Sequence, residues 1–262
     1  MTDPFGVPIG QVVDSVKDLE TVKETDKCVA LLPRAFRALL CRPEMWIMRR
    51  NHKVKVFALE LEKELLKNDP DKIIEPPLYV AVPALQAVSY SMDSDELRNM
   101  YVKLLARAMN SDSTGEVHPS MVEVIKQMSP LEAQILKKLD KRVDVPYFNI
   151  IRKNNGTHGK GLLYKYLSEF DPKDALSIEF RPLPSSVAFS NLERLGIFTI
   201  QDDAWLENDS LYENLLPVRF AELIKNVNQL IEKQNGTYSV ETQKGYASLT
   251  PFGKLFIKIC LT

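Results

Sequence analysis

The chain has 262 residues, 45% of them hydrophobic and 26% charged, the proportions of an ordinary folded protein with enough apolar surface for two modest cores. Its 34 basic and 35 acidic residues leave a net charge of −1, which excludes a global basic field directed at nucleic acid or an anionic membrane. Cys28, Cys41 and Cys260 form no CxxC pair, which argues against a disulfide framework or a zinc site and for a cytoplasmic setting.

Residues 1–27 read as a weakly ordered leader. They lack a basic stretch ahead of an apolar core, so no secretory signal is expected. The apolar runs at 28–41 and 78–92 fall short of the roughly 20 residues that span a bilayer, so no transmembrane segment is expected. The run "RRNHKVK" (49–55) holds the densest positive charge, and Arg49, Arg50, Lys53 and Lys55 form a candidate basic contact patch for anionic lipid or nucleic acid. A solvated helix end is the preferred reading of the same residues.

From 28 to 139 the dominant period is helical, and residues 28–128 are predicted to form an N-terminal helical domain. Val54, Phe57, Leu61 and Leu65 share one side of a helix over 52–68. "EPPLYVAVPALQAVSYSM" starts on Pro76-Pro77 and is apolar nearly all round, the pattern of a buried central helix, with Pro83 as a kink point. In "DSDELRNMYVKLLARAMN", Leu97, Met100, Tyr101, Leu104, Leu105 and Ala108 form one stripe, and Asp93 with Glu96 offers a capping arrangement. "VHPSMVEVIKQMSPLEAQILKKL" (117–139) predicts two more helices. His118 and Pro119 begin the first, and Ser129, Pro130 and Glu132 start the second as N-cap, N1 and N3 of a capping box.

Beyond Leu139 the pattern changes. "VPYFNII" (145–151) predicts a strand, "NNGTHGKG" (154–161) a turn, "LLYKYLSEF" (162–170) a short helix and "LSIEF" (176–180) a short strand. "SSVAFSNLERLGIFTI" (185–200) reads as a helix stopped by Gly196 and followed by a strand. "YASLTPFGKLFIKICL" (246–261) reads as a strand and then a helix begun at Thr250-Pro251. This order of parts predicts a winged-helix-like α+β unit over 129–262, making the whole chain mainly α. The wing is long and carries a helical insertion at 216–235. Ser185, Ser186, Ser190, Asn191 and Arg194 are then the candidate contact residues for DNA or a protein partner. With no lysine among them and the half-chain near neutral, protein contact is favoured over DNA.

No catalytic, cofactor or metal constellation emerges. A Walker loop needs glycine at 154 and Ser or Thr at 161, where the chain has Asn154 and Gly161. His52, His118 and His158 are isolated from one another and from cysteine, and His118 reads as a helix-flanking residue rather than a ligand or base. "DSDELR" lacks the alternating ligands and glycine of an EF-hand.

The succession "IIEPPLYVAVPALQAVSYSMDSDELRNMYVKLLARAMN", "VHPSMVEVIKQMSPLEAQILKKL", "NLERLGIF" and "YASLTPFGKLFIKIC" resembles the Abi-alpha family over roughly residues 50–261. The marks are Glu75-Pro76, Asp95-Glu96-Leu97, Val117-His118-Pro119-Ser120, Ser129-Pro130 with Ala133-Gln134-Ile135-Leu136, and Leu249-Thr250 with Phe252-Gly253. The family is a bacterial group associated with phage abortive infection, and the resemblance implies a cytoplasmic antiphage protein with no established catalytic residues to transfer. The expected activity is therefore non-enzymatic and works through protein partners, a second copy of the chain among them. A DNA-binding transcription regulator and a membrane-associated toxic effector acting through residues 28–55 are the alternatives.

Overall fold

The computed structural model describes residues 52–91, 93–139, 144–154, 159–172, 182–213, 215, 218–233 and 237–262. The chain divides into two compact units between Lys126 and Gln127.

The described part of the first unit contains four helices: α1 (His52–Leu65), α2 (Leu78–Ser91), α3 (Asp95–Ala108) and α4 (Ser120–Lys126). α3 packs against all three others, which makes it central among the described helices, and every residue of its predicted stripe is buried. α2 was expected in that place. It buries Val80, Ala81, Ala84, Leu85 and Val88 but leaves Leu78 and Tyr79 exposed. The cap of α3 falls on Ser94, whose Oγ accepts the Leu97 N–H at 3.3 Å, in place of the expected Asp93. Arg98, though 8% exposed, is fully charge-paired: Nε and Nη2 reach the two oxygens of Glu60 on α1 at 2.8 and 2.9 Å, and Nη1 reaches Asp95 at 2.8 Å.

The second unit carries α5 (Pro130–Lys138), β1 (Asp144–Asn154), β2 (Lys160–Leu167), α6 (Pro184–Arg194), β3 (Phe198–Gln201), α7 (Ser210–Glu213), α8 (Val218–Lys233), β4 (Tyr238–Leu249) and α9 (Pro251–Cys260). The four strands form one antiparallel sheet in the order β2-β1-β4-β3, curled into half a barrel. This overturns the mainly-α, winged-helix expectation: the protein is α+β. Two segments account for the difference. "LLYKYL" is strand β2, hydrogen-bonded to β1, where a helix was expected. The polar run before Tyr246, read as wing, is strand, so β4 pairs with β1 from Asp144↔Ser248 to Asn154↔Tyr238 while β3 adds only four pairs. "LSIEF" and four residues of the 154–161 turn, His158 included, lie outside the described residues.

β1 is covered on both faces, which explains its unbroken burial from Val145 to Ile151. Phe148 and Ile150 join Tyr164, Leu167, Leu183, Tyr212, Leu215, Ile231 and Val240 on one face. Tyr147 points to the other, its ring 4.9 Å from Tyr166 and 6.2 Å from Phe189 of α6. Tyr164 and Tyr166 therefore lie on opposite faces although two residues apart. A β-bulge causes this. Phe148 pairs with Leu167 and Ile150 with Tyr164, so three steps along β2 match two along β1. The extra residue is accommodated at Tyr166, whose φ is +57°.

α6 ends at Gly196, with φ +73°, and the Ile197 N–H turns back to the Leu192 carbonyl at 2.9 Å. Thr250 Oγ1 then accepts the Gly253 N–H at 2.9 Å, capping α9, and donates to the Gly196 carbonyl at 2.5 Å.

Candidate functional site

The bulge organises a polar cluster of the second unit. A left-handed tyrosine is strained, and strain of this kind persists only where surrounding contacts fix it. Here they do. Asn149 Oδ1 accepts the Tyr166 N–H at 3.0 Å, Ser185 Oγ meets the Tyr166 carbonyl at 2.6 Å, and Ser186 Oγ donates to the Lys165 carbonyl. Ser185 Oγ also lies in hydrogen-bond contact with Asp171, whose other oxygen accepts the Ser185 N–H at 2.9 Å. The start of α6 is thereby sewn to the end of β2.

Asn149 also reaches outward. Its Nδ2 donates to Asp202 Oδ1 at 2.7 Å, and the Tyr147 hydroxyl donates to the same oxygen at 2.8 Å. Gln243 Nε2 holds the Asp202 carbonyl at 2.8 Å. Tyr147 reaches across β4 only because Gly245 stands opposite: a Cβ there would sit 2.5 Å from the ring. Burial, aided by the Asp202 carboxylate, raises the Tyr147 hydroxyl well above the usual tyrosine range, and burial raises Tyr166 against the opposing Lys165 ammonium. The Tyr147 hydroxyl is held as a protonated donor, unlike a general base.

Beyond Asp202 the chain is tied down a second time. The Leu206 N–H donates to the Tyr212 hydroxyl at 3.0 Å, and that hydroxyl donates to the Gly245 carbonyl at 3.1 Å. Lys244 Nζ reaches Asp209 at 2.6 Å. The segment 202–212 is a surface loop pinned at both ends to β1 and β4.

The residues singled out from the sequence take different places. Ser185 is fully buried, and the Ser186 hydroxyl is held by the Lys165 carbonyl. Asn191 Nδ2 lies 2.9 Å from both the Gln127 carbonyl and Glu132 Oε1, and Arg194 bonds Asn191 Oδ1 and Gln127 Oε1. Glu132 in turn accepts the Ser129 N–H, closing the capping box of α5. Asn191 and Arg194 thus seat α6 on the start of α5, and of the five only Ser190 projects as an exposed side chain with no bond of this kind. Arg49 and Arg50 lie outside the described residues, as do the side chains of Lys53 and Lys55 on α1.

His118 is exposed, and its Nδ1 accepts the Ser120 N–H at 3.2 Å and meets Ser120 Oγ at 2.6 Å. Its carbonyl accepts the Met121 N–H at 3.0 Å, so His118 caps α4 with ring and backbone together. Cys28 and Cys41 lie outside the described residues. Cys260 is free and buried, and burial pushes its thiol up, away from reactivity. Among the described residues no group of three or more His, Cys, Asp or Glu is placed to hold a metal ion. No helix among them is long and apolar enough to cross a membrane.

Sequence reading missed Tyr147, Asn149, Tyr166 and Asp202 as a group. One signal was present: Asn149 is an amide in the middle of an apolar strand, and a buried amide requires partners.

The second unit is thus an α+β domain in which an internal hydrogen-bond network positions a surface loop. Compared with known families, residues 49–260 match abortive infection alpha, and the chain belongs to that family. No curated protein and no solved structure matches it.

Proposed function

We propose that the protein takes part in abortive infection as a binding protein, through contacts with other proteins and without catalysing a reaction. Family membership supplies the setting of phage defence. The observation that carries the finer reading is the polar cluster on the sheet. Tyr147, Asn149, Asp202 and Ser185 meet one another or the backbone, and the cluster's output is a fixed surface loop. A catalytic group needs a face open to substrate and a proton-transfer range near the working pH, and the raised, buried tyrosines have neither. Binding needs a rigid display, which the network provides.

The test is to express the gene in a phage-sensitive host and score plaquing efficiency beside host survival. Fewer plaques together with death of the infected cells is the expected result. Unchanged plaquing across a broad phage panel contradicts the reading.

A further inference from the structure

The braced loop carries an unusual load. Trp205 lies 63% exposed between the two anchoring points at Asp202 and Leu206, and Leu211 on α7 is 36% exposed. Tryptophan is a largely buried residue in most folds, and an exposed indole on a tethered backbone has little conformational entropy left to lose on binding. The charge carried by the segment itself has one sign, with Lys244 reaching in from β4 to Asp209. Asp203, Glu207 and Glu213 are exposed on this segment, and residues 201–213 contain no lysine or arginine. Asp209 is already taken by Lys244 and Asp202 by Tyr147 and Asn149.

We propose that this loop is the docking surface for a basic segment of another protein, with Trp205 as the anchor. The partner places an apolar side chain or an arginine guanidinium against the indole, and its lysines or arginines face Asp203, Glu207 and Glu213. The charge decides among occupants. A nucleic acid or an anionic bilayer brings phosphate towards three carboxylates and is repelled. A second copy meeting this patch by two-fold symmetry sets the same carboxylates against each other. A basic peptide alone gains from both the indole and the charges. The inference rests on the binding-protein reading and names its surface.

The full chain is titrated with a fluorescently labelled peptide of alternating arginine and leucine, with a glutamate and leucine peptide as control. The account expects the basic peptide alone to bind, more weakly as salt rises, with Trp205→Ala costing about tenfold or more in affinity and leaving the melting temperature unchanged. Charge removal by Asp203→Asn, Glu207→Gln and Glu213→Gln together should slow association. Three results would overturn it: no binding, equal affinity for Trp205→Ala, or equal binding of the acidic peptide. Dimerisation of the wild type abolished by Trp205→Ala also overturns it, in favour of a second copy. The two readings fail separately. If the wild type protects cells but Trp205→Ala binds the basic peptide as tightly as the wild type, the docking surface falls and the defence role stands. If the wild type binds peptide but protects against no phage, the defence role falls.

Discussion

The Tyr147 hydroxyl donates to Asp202 Oδ1 over 2.8 Å, joining a residue in the first half of the inner strand β1 to one 55 positions later. Gly245 opposite makes the reach sterically open, and Asn149 meets the same carboxylate oxygen from the next inward position of β1. The 202–212 loop takes its position from this contact.

Removing the hydroxyl should therefore weaken the fold modestly and the loop more. Tyr147→Phe keeps the ring in its aromatic cluster and loses one bond to a charged acceptor, a loss of about 1.5–3 kcal/mol by the usual worth of such bonds. Urea denaturation checks the stability. Amide exchange at residues 203–206 checks the loop, where faster exchange is expected.

Alkaline pH should act through the same residue. Burial raises Tyr147, Tyr166 and Tyr212 above the ordinary tyrosine value in the folded chain. Above about pH 10 the unfolded chain loses tyrosine protons that the folded chain still holds, so the unfolded state binds fewer protons and stability falls as pH rises. Below that value these groups contribute fully and give no slope. Denaturation midpoints measured on both sides of it should show this onset, with a shallower decline for Tyr147→Phe. An identical decline in the variant would contradict the assignment.

At Tyr166 two truncations separate ring from backbone. Tyr166→Gly and Tyr166→Ala both lose the aromatic contacts, but only glycine accepts φ +57° without strain. Glycine should be the more stable of the two by about 1 kcal/mol, the reverse of the usual order in a strand. Thermal melting of the pair decides it.

In the first unit the Arg98–Glu60 pair should behave as a buried fork. Arg98→Met leaves Glu60 partly buried without its partner and should cost about 2 kcal/mol, below the full penalty of a completely buried pair because Glu60 retains some water. Adding Glu60→Leu should restore part of the loss, and a double-mutant cycle measures the coupling.

The helices of the first unit were legible because a 3.6-residue period shows directly in the positions of Leu97, Met100, Tyr101, Leu104, Leu105 and Ala108. The Ser129–Glu132 box was equally local and is present. The sheet was less legible. "LLYKYL" is too short for period alone to separate strand from helix, and the bulge at Tyr166 breaks the alternation that marks a strand. β4 was hidden because its middle, Glu241 to Lys244, is polar and faces partly to solvent. The Tyr147–Asp202 contact is non-local, and no spacing rule along the chain reports it. Asn191 and Arg194 were noticed for their chemistry, while their partners Gln127 and Glu132, over fifty positions upstream, were invisible to the same reading.

The central claim is that the Asp202 cluster holds a surface in place and performs no proton chemistry. Phage protection by Asp202→Asn tests it most directly, with Asp202→Ala beside it and melting temperatures for both. Asparagine keeps an Oδ1 that accepts from Tyr147 and Asn149 but removes the carboxylate as acid or base. The account predicts that Asp202→Asn protects nearly as well as the wild type while Asp202→Ala does not. Loss of protection by a fully folded Asp202→Asn protein would contradict it.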